Sequence, residues 1–84
     1  MKPVHLSGHA SEQLLRRGVS PDEVLTAIHS APWEKSERGR LECRQNFTYE
    51  SKWNGKFYQT KQVRPIFVEE EDEIVVVTVY AYYF

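Results

Sequence analysis

Cysteine is almost missing from these 84 residues. Cys43 stands alone, so no internal disulfide staples the fold and a reducing compartment suits the chain. Glycine is scarce too, with four residues and no cluster, which excludes a glycine-rich phosphate cradle. No apolar stretch has the length a bilayer needs; the longest, Ile74 to Phe84 with Thr78 inside it, falls well short. The opening Met1-Lys2-Pro3-Val4-His5-Leu6 lacks the apolar run of a secretory signal. Metal-ligand spacing is absent as well, because His5, His9 and Cys43 contain no close pair on one helix or hairpin. The expectation is a cytoplasmic domain, off the membrane, that uses no metal and no cofactor.

What remains is a composition that folds. Hydrophobic residues make up 40% and aromatics 13%, and residues 1–84 suit a single domain with one modest core. The formal charge of −1 hides an asymmetry. Five of the twelve acidic residues sit together at Glu69-Glu70-Glu71-Asp72-Glu73, while residues 1–68 hold all eleven Lys and Arg against seven Asp and Glu. The acidic run reads as a solvated turn that keeps an apolar strand from sticking to others. The basic remainder can meet a polyanion, though its excess is too mild for tight nonspecific DNA binding.

Two helices open the chain. Ser7 is a candidate N-cap for a helix ending at Arg17, with Gly18 as its left-handed stop. Ser20-Pro21-Asp22-Glu23 spells a capping box with proline at the first helical position, and Ala31-Pro32 ends that second helix. The expected buried positions are Ala10, Leu14 and Leu15 on the first and Val24, Leu25 and Ile28 on the second. After Pro32 the period drops to two. Trp33 to Ser36 suits a short strand, Glu37-Arg38-Gly39 a hairpin turn, and Arg40 to Glu50 alternates cleanly. Residues 51–58 read as a loop with Asn54-Gly55 as its tightest turn, leaving Trp53, Phe57 and Tyr58 open to core packing, partner contact or base stacking. Gln62 to Glu69 is a third strand in which Pro65 implies an edge or a bulge. Ile74 to Tyr83 is the strongest strand. Its alternation assigns Val75, Val77, Val79 and Ala81 to the face under the helices and Ile74, Val76, Thr78, Tyr80 and Tyr82 to the other. The expected architecture is α+β: two N-terminal helices packed on one face of a three- or four-stranded antiparallel sheet.

Chemistry concentrates in two places. His9, Gln13 and Arg17 form an i, i+4, i+8 row beside the buried arc of the first helix, and an arginine at a core border must find a partner. Arg17 is either an anchor for a strand carboxylate such as Glu42 or a phosphate ligand. His9, in a first turn where the helix dipole disfavours the imidazolium, can accept a proton or simply pack. The sheet face away from the helices collects Glu42, Arg44, Asn46 and Thr48 with Thr78, Tyr80 and Tyr82, and Arg64 joins them if Phe67 is buried. Such a face holds a phosphodiester and stacks a base, or is merely solvated. No serine or cysteine sits in the context of a nucleophile.

His9-Ala10, Arg17-Gly18-Val19 followed by Ser20, and the terminal Val77-Thr78-Val79-Tyr80 together resemble the bacterial family known as domain of unknown function 4258. The likeness spans nearly the whole chain on short motifs. That family is distantly similar to the RelE, barnase, EndoU and colicin group of metal-independent ribonuclease toxins, with N-terminal helices followed by an antiparallel sheet. The resemblance implies RNA cleavage by 2′-hydroxyl transesterification. His9, Arg17 and Tyr80 would be the catalytic residues, Arg44, Arg64, Thr78 and Tyr82 the RNA-binding ones, and an antitoxin protein the partner. Members often carry arginine where this chain has Gln13, so one cation is missing. Two other classes stay open. One is a non-enzymatic interaction module, with Val76, Tyr80, Tyr82 and Phe84 packing on a second copy or another protein; the other is a nucleic-acid binder without cleavage.

Overall fold

The computed structural model describes residues 2–84. Its elements run β1 (Val4–Leu6), α1 (Gly8–Arg17), α2 (Pro21–Ser30), β2 (Glu34–Lys35), a 3-10 turn (Glu37–Gly39), β3 (Leu41–Glu42), β4 (Gln45–Trp53), β5 (Lys56–Glu69) and β6 (Ile74–Tyr83). The class is α+β as expected, but the sheet is larger and mixed. Six strands take part in the order β1-β6-β5-β3-β2, with β4 also on β5, and β1 pairs parallel to β6. Residues 51–58 are mostly strand, with a tight turn at Asn54-Gly55.

Both helices start and stop where their capping residues direct. Ser7 Oγ accepts from the Ala10 N–H, and Gly18 closes α1 at φ 69°. In α2 the box is complete: Glu23 N–H donates to Ser20 Oγ and the Ser20 N–H to Glu23 Oε1 at 2.9 Å. Lys61 then latches both helices to the sheet. Its buried ammonium donates to the Gly18 carbonyl at 2.8 Å, pairs with Glu23 at 2.9 Å and lies over the Tyr49 ring.

The core gathers Ala10, Leu14, Val24, Ala27 and Ile28 against Val63, Phe67, Ile74, Val76 and Val79. Leu25 lies outside it as an exposed apolar side chain, and Ala27 takes the buried place. Leu15, expected inside, is 88% exposed. The reason is where α1 lies. It runs beside the free edge of β6 with Ser7 donating to Val76 and Val77 carbonyls and Gln13 reaching Val79, so only a narrow stripe of the helix meets protein. Parity along β6 also departs from strict alternation. Ile66 faces Thr78 while Phe67 faces Val76, so Val77 is an extra residue, a bulge. The inward side is therefore Ile74 and Val76 before the bulge and Val79 and Ala81 after it; Val75 and Val77 are not core residues.

Pro65 sits mid-sheet in β5, fully buried. Its carbonyl accepts from the Cys43 N–H, so its missing N–H falls on the same side, where the ladder breaks between β3 and β4.

Candidate functional site

The bulge and the edge-on helix create the site. Val79 pairs opposite Pro65, and its N–H turns away from β5 toward α1. Gln13, 5% exposed, meets it: Oε1 accepts from the Val79 N–H at 2.8 Å and from the Thr78 hydroxyl at 2.6 Å. One turn further on, the Tyr83 hydroxyl donates to the Arg17 carbonyl. With α1 pinned in this way, the Arg17 guanidinium comes round the strand edge onto the far face of the sheet, 5.0 Å from the Tyr80 ring centroid. Arg64, directly across from Tyr80 in the β5–β6 register, lies 5.4 Å from the same centroid. Two guanidiniums from different layers converge on one phenol.

Their surroundings differ. Arg64 is locked: Nε and Nη2 donate to the two Glu42 oxygens at 2.8 Å each, and Nη1 to the Tyr82 hydroxyl at 3.2 Å. Three of five donors are used, leaving two for a ligand. The Arg64 guanidinium bonded to Glu42 holds that carboxyl down at about 2 against the opposing effect of burial, helped by the Ser36 hydrogen bond and the charge of Arg44. Arg64 is correspondingly pushed up, chiefly by the same pair. Arg44 reaches Glu42 at 3.7 Å and is otherwise exposed. Arg17 has no carboxylate partner among the described residues, so the expected pairing with Glu42 is corrected: β3 delivers Glu42 to the far face, where Arg64 meets it first.

Tyr80 also borders two adjoining cavities on this face, the larger of which Arg64 lines as well. The larger, about 490 Å³, is walled by Lys35, Ser36 and Glu37 and floored by Ile66, with Glu42 and Arg64 at one end. The smaller, about 160 Å³, continues past Thr78 to Arg38 and Arg40. The wall is a tight turn, closed by the Ser36 N–H on the Arg40 carbonyl at 2.8 Å. It holds Arg38 at φ 60°, a conformation that costs an arginine about 1 kcal/mol. The sequence marks Glu37-Arg38-Gly39 as a turn, but nothing in it shows that the turn folds over the sheet.

Of the expected site residues, the structure brings Arg17, Arg64, Tyr80, Tyr82, Thr78 and Arg44 to one side of β6, with Glu42 among them. His9 stays apart. It is exposed in the first turn of α1, about 12 Å along the helix from Arg17, and makes no hydrogen bond or ion pair among the described residues. Trp53 stacks on Tyr83 at 4.9 Å and Tyr58 leans on the same ring, so both serve packing, while Phe57 is exposed. Burial pushes the Cys43 thiol up to about 11, with the Glu42 charge adding to it, which removes it as a nucleophile. No group of residues among those described could hold a metal ion, and no helix among them is long and apolar enough to cross a membrane. Compared with protein-family models, curated proteins and solved structures, the chain matches none.

Proposed function

We propose that this chain is a metal-independent RNA-cleaving domain of the toxin type, acting by transesterification at the Arg17–Tyr80 position. The observation that carries the reading is the arrival of Arg17, free of any carboxylate among the described residues, on the ring that Arg64 also approaches. The resemblance to the family known as domain of unknown function 4258 supports it, as do the cations Arg38, Arg40 and Arg44 around the face. In this reading the ribose 2′-oxygen attacks phosphorus and the bond to the 5′-oxygen breaks, leaving a 2′,3′-cyclic phosphate and a 5′-hydroxyl. Arg17, with the two unused Arg64 donors, stabilises the charge building on the phosphoryl oxygens. The Tyr80 hydroxyl gives its proton to the departing 5′-oxygen, and the 2′-proton leaves to water. Glu42 is a poor base here, because Arg64 occupies both of its oxygens and lowers their affinity for a proton. Thr78 and Tyr82 shape the face, the one bound to Gln13 and the other to Arg64. A cytoplasmic enzyme of this kind is held by a partner antitoxin.

The test is expression in bacteria with mapping of RNA ends. Wild type is expected to arrest growth and to leave cyclic phosphates. Arg17→Ala and Tyr80→Phe each lower cleavage by about 10²- to 10⁴-fold while remaining folded. His9→Ala stays within a few-fold of wild type, given its distance from the pair. A harmless wild type, or both site variants cleaving at the wild-type rate, sinks the reading. A second reading, a non-enzymatic interaction module, is favoured by the exposed Leu15, Leu25, Phe57 and Phe84. Mass measurement in solution decides it: a strict monomer with no co-purifying protein removes both the homodimer and the standing partner.

A further inference from the structure

Two arginines of the turn have no work in the fold. The side chains of Arg38 and Arg40 make no hydrogen bond or ion pair among the described residues, and both residues line the smaller cavity. Register explains the placement of Arg40. Glu34–Glu42 and Lys35–Leu41 are successive rungs between β2 and β3, and the Ser36 N–H on the Arg40 carbonyl makes the next. Side chains change face from rung to rung, so Arg40 returns to the face on which Glu42 meets Arg64. Ser36 is on that side too, since it supports the Glu42 carboxylate. Across the sheet Glu42, Ile66 and Thr78 form one row, and Arg64 and Tyr80 the neighbouring row on the same face. Because β3 runs antiparallel to β5, Arg40 lies beyond the Glu42 row, on the side away from Arg64. Two cationic positions therefore flank one trough over Ile66 and Thr78: Arg17 with Arg64 at Tyr80, and Arg38 with Arg40 at the turn. By register they stand four residues of strand apart, about 13 Å.

We propose that Arg38 and Arg40 hold a second phosphate of a single-stranded RNA whose first phosphate lies at Arg17 and Tyr80. The proposal rests on the RNA-binding part of the reading above for its neighbour, and adds a separate contact on the other side of the trough. A guanidinium with its fork free binds phosphate oxygens in pairs, so two such positions spaced along a strand track a polyanion, where a compact anion needs one. Glu37 is the one carboxylate lining the smaller cavity, which leaves that position with a net charge of about +1, the complement of one phosphodiester. The Ile66 side chain and the Tyr80 ring offer the chain between the phosphates an apolar surface that is indifferent to sequence. The turn stands over the sheet as a wall. A single strand fits beside it, whereas an A-form duplex, rounded and two strands wide, is kept off the floor.

The experiment measures binding of a fluorescent 2′-O-methyl hexanucleotide to the full-length chain over a salt series. Its blocked 2′-oxygen cannot attack phosphorus, so binding is read without cleavage. The double variant Arg38→Gln/Arg40→Gln is expected to flatten the slope of log affinity against log salt by about 0.7, the share of one phosphate on a single strand. That change amounts to about a fivefold loss of affinity per tenfold dilution of salt. Arg38→Lys/Arg40→Lys keeps the wild-type slope. Lys52→Gln/Lys56→Gln removes the same charge from the exposed end of the β4–β5 hairpin and also keeps it. Glu37→Gln tightens binding several-fold. Equal slopes in wild type and the Arg38/Arg40 glutamine pair, an equal flattening in the Lys52/Lys56 pair, or no binding of the hexanucleotide overturns the second position. A 2′-O-methyl duplex that binds as tightly as the single strand overturns it too. Unmodified RNA then separates the two readings. The expected slope change without cyclic phosphate products rejects cleavage and keeps the second position, whereas cleavage whose KM is the same in the glutamine pair does the reverse.

Discussion

Replacing Glu42 with glutamine removes the charge that fixes Arg64, and the size of the effect follows from two independent arguments. Glu42 is 7% exposed and bound through both oxygens, and its carboxyl titrates at about 2 instead of the ordinary 4.5. At about 1.4 kcal/mol for each tenfold in proton affinity, that corresponds to about 3 kcal/mol of stability. Breaking a buried pair from one side costs about 3–5 kcal/mol, and Arg64 keeps enough exposure to bring the effect to the lower end. The sign is set by a folded-state value lying below the unfolded one. The contribution is complete above about pH 4.5 and drains away as pH falls toward 2. Urea unfolding of wild type and Glu42→Gln at a series of pH values isolates it, because all other carboxylates titrate in both proteins. At pH 7 the variant is expected to be less stable by about 3 kcal/mol, a large share of a small domain's total. Near pH 2 the two curves should meet. A gap that stays constant from pH 7 to pH 2, or one below about 0.5 kcal/mol at pH 7, refutes the reasoning.

Gln13→Leu strands the buried Val79 N–H and frees the Thr78 hydroxyl, so a loss of about 2 kcal/mol and a fall in Tm of about 8–16 °C are expected by calorimetry. Gln13→Arg should do no better in this chain, since a guanidinium offers no acceptor to that N–H. Gly18→Ala meets two obstacles, a φ of 69° and a new Cβ that would stand 2.5 Å from the Trp53 ring. Its cost in chemical denaturation should exceed the roughly 1 kcal/mol of the backbone conformation alone, and Trp53 fluorescence should report the displaced ring.

Local chemistry made the helices legible. Ser7, Gly18 and the Ser20–Glu23 box act through atoms close in the chain, so their meaning survives without tertiary context. The open face was legible for the same reason, since alternation over Arg40 to Glu50 places Glu42 opposite Leu41 and Cys43 whatever the neighbours. The bulge at Val77 was not. Valines on both sides of it carry no mark of which residue is extra, and only the pairing with Ile66 and Phe67 decides. Leu15 misled because a leucine beside Leu14 looks buried until the helix is known to lie along an edge. Arg17 was legible as a residue in need of a partner, but that partner is a ring sixty-three positions away, beyond the reach of spacing. β1 went unseen because three residues paired to a distant strand have no period to read.

That last strand has a temporal consequence. Val4–Leu6, Ser7 and Gln13 all draw their hydrogen bonds from residues 74–79, so a chain emerging from the ribosome makes its opening segments long before it makes their counterparts. Until β6 is synthesised, α1 has no edge to lie along and Arg17 no tyrosine to approach.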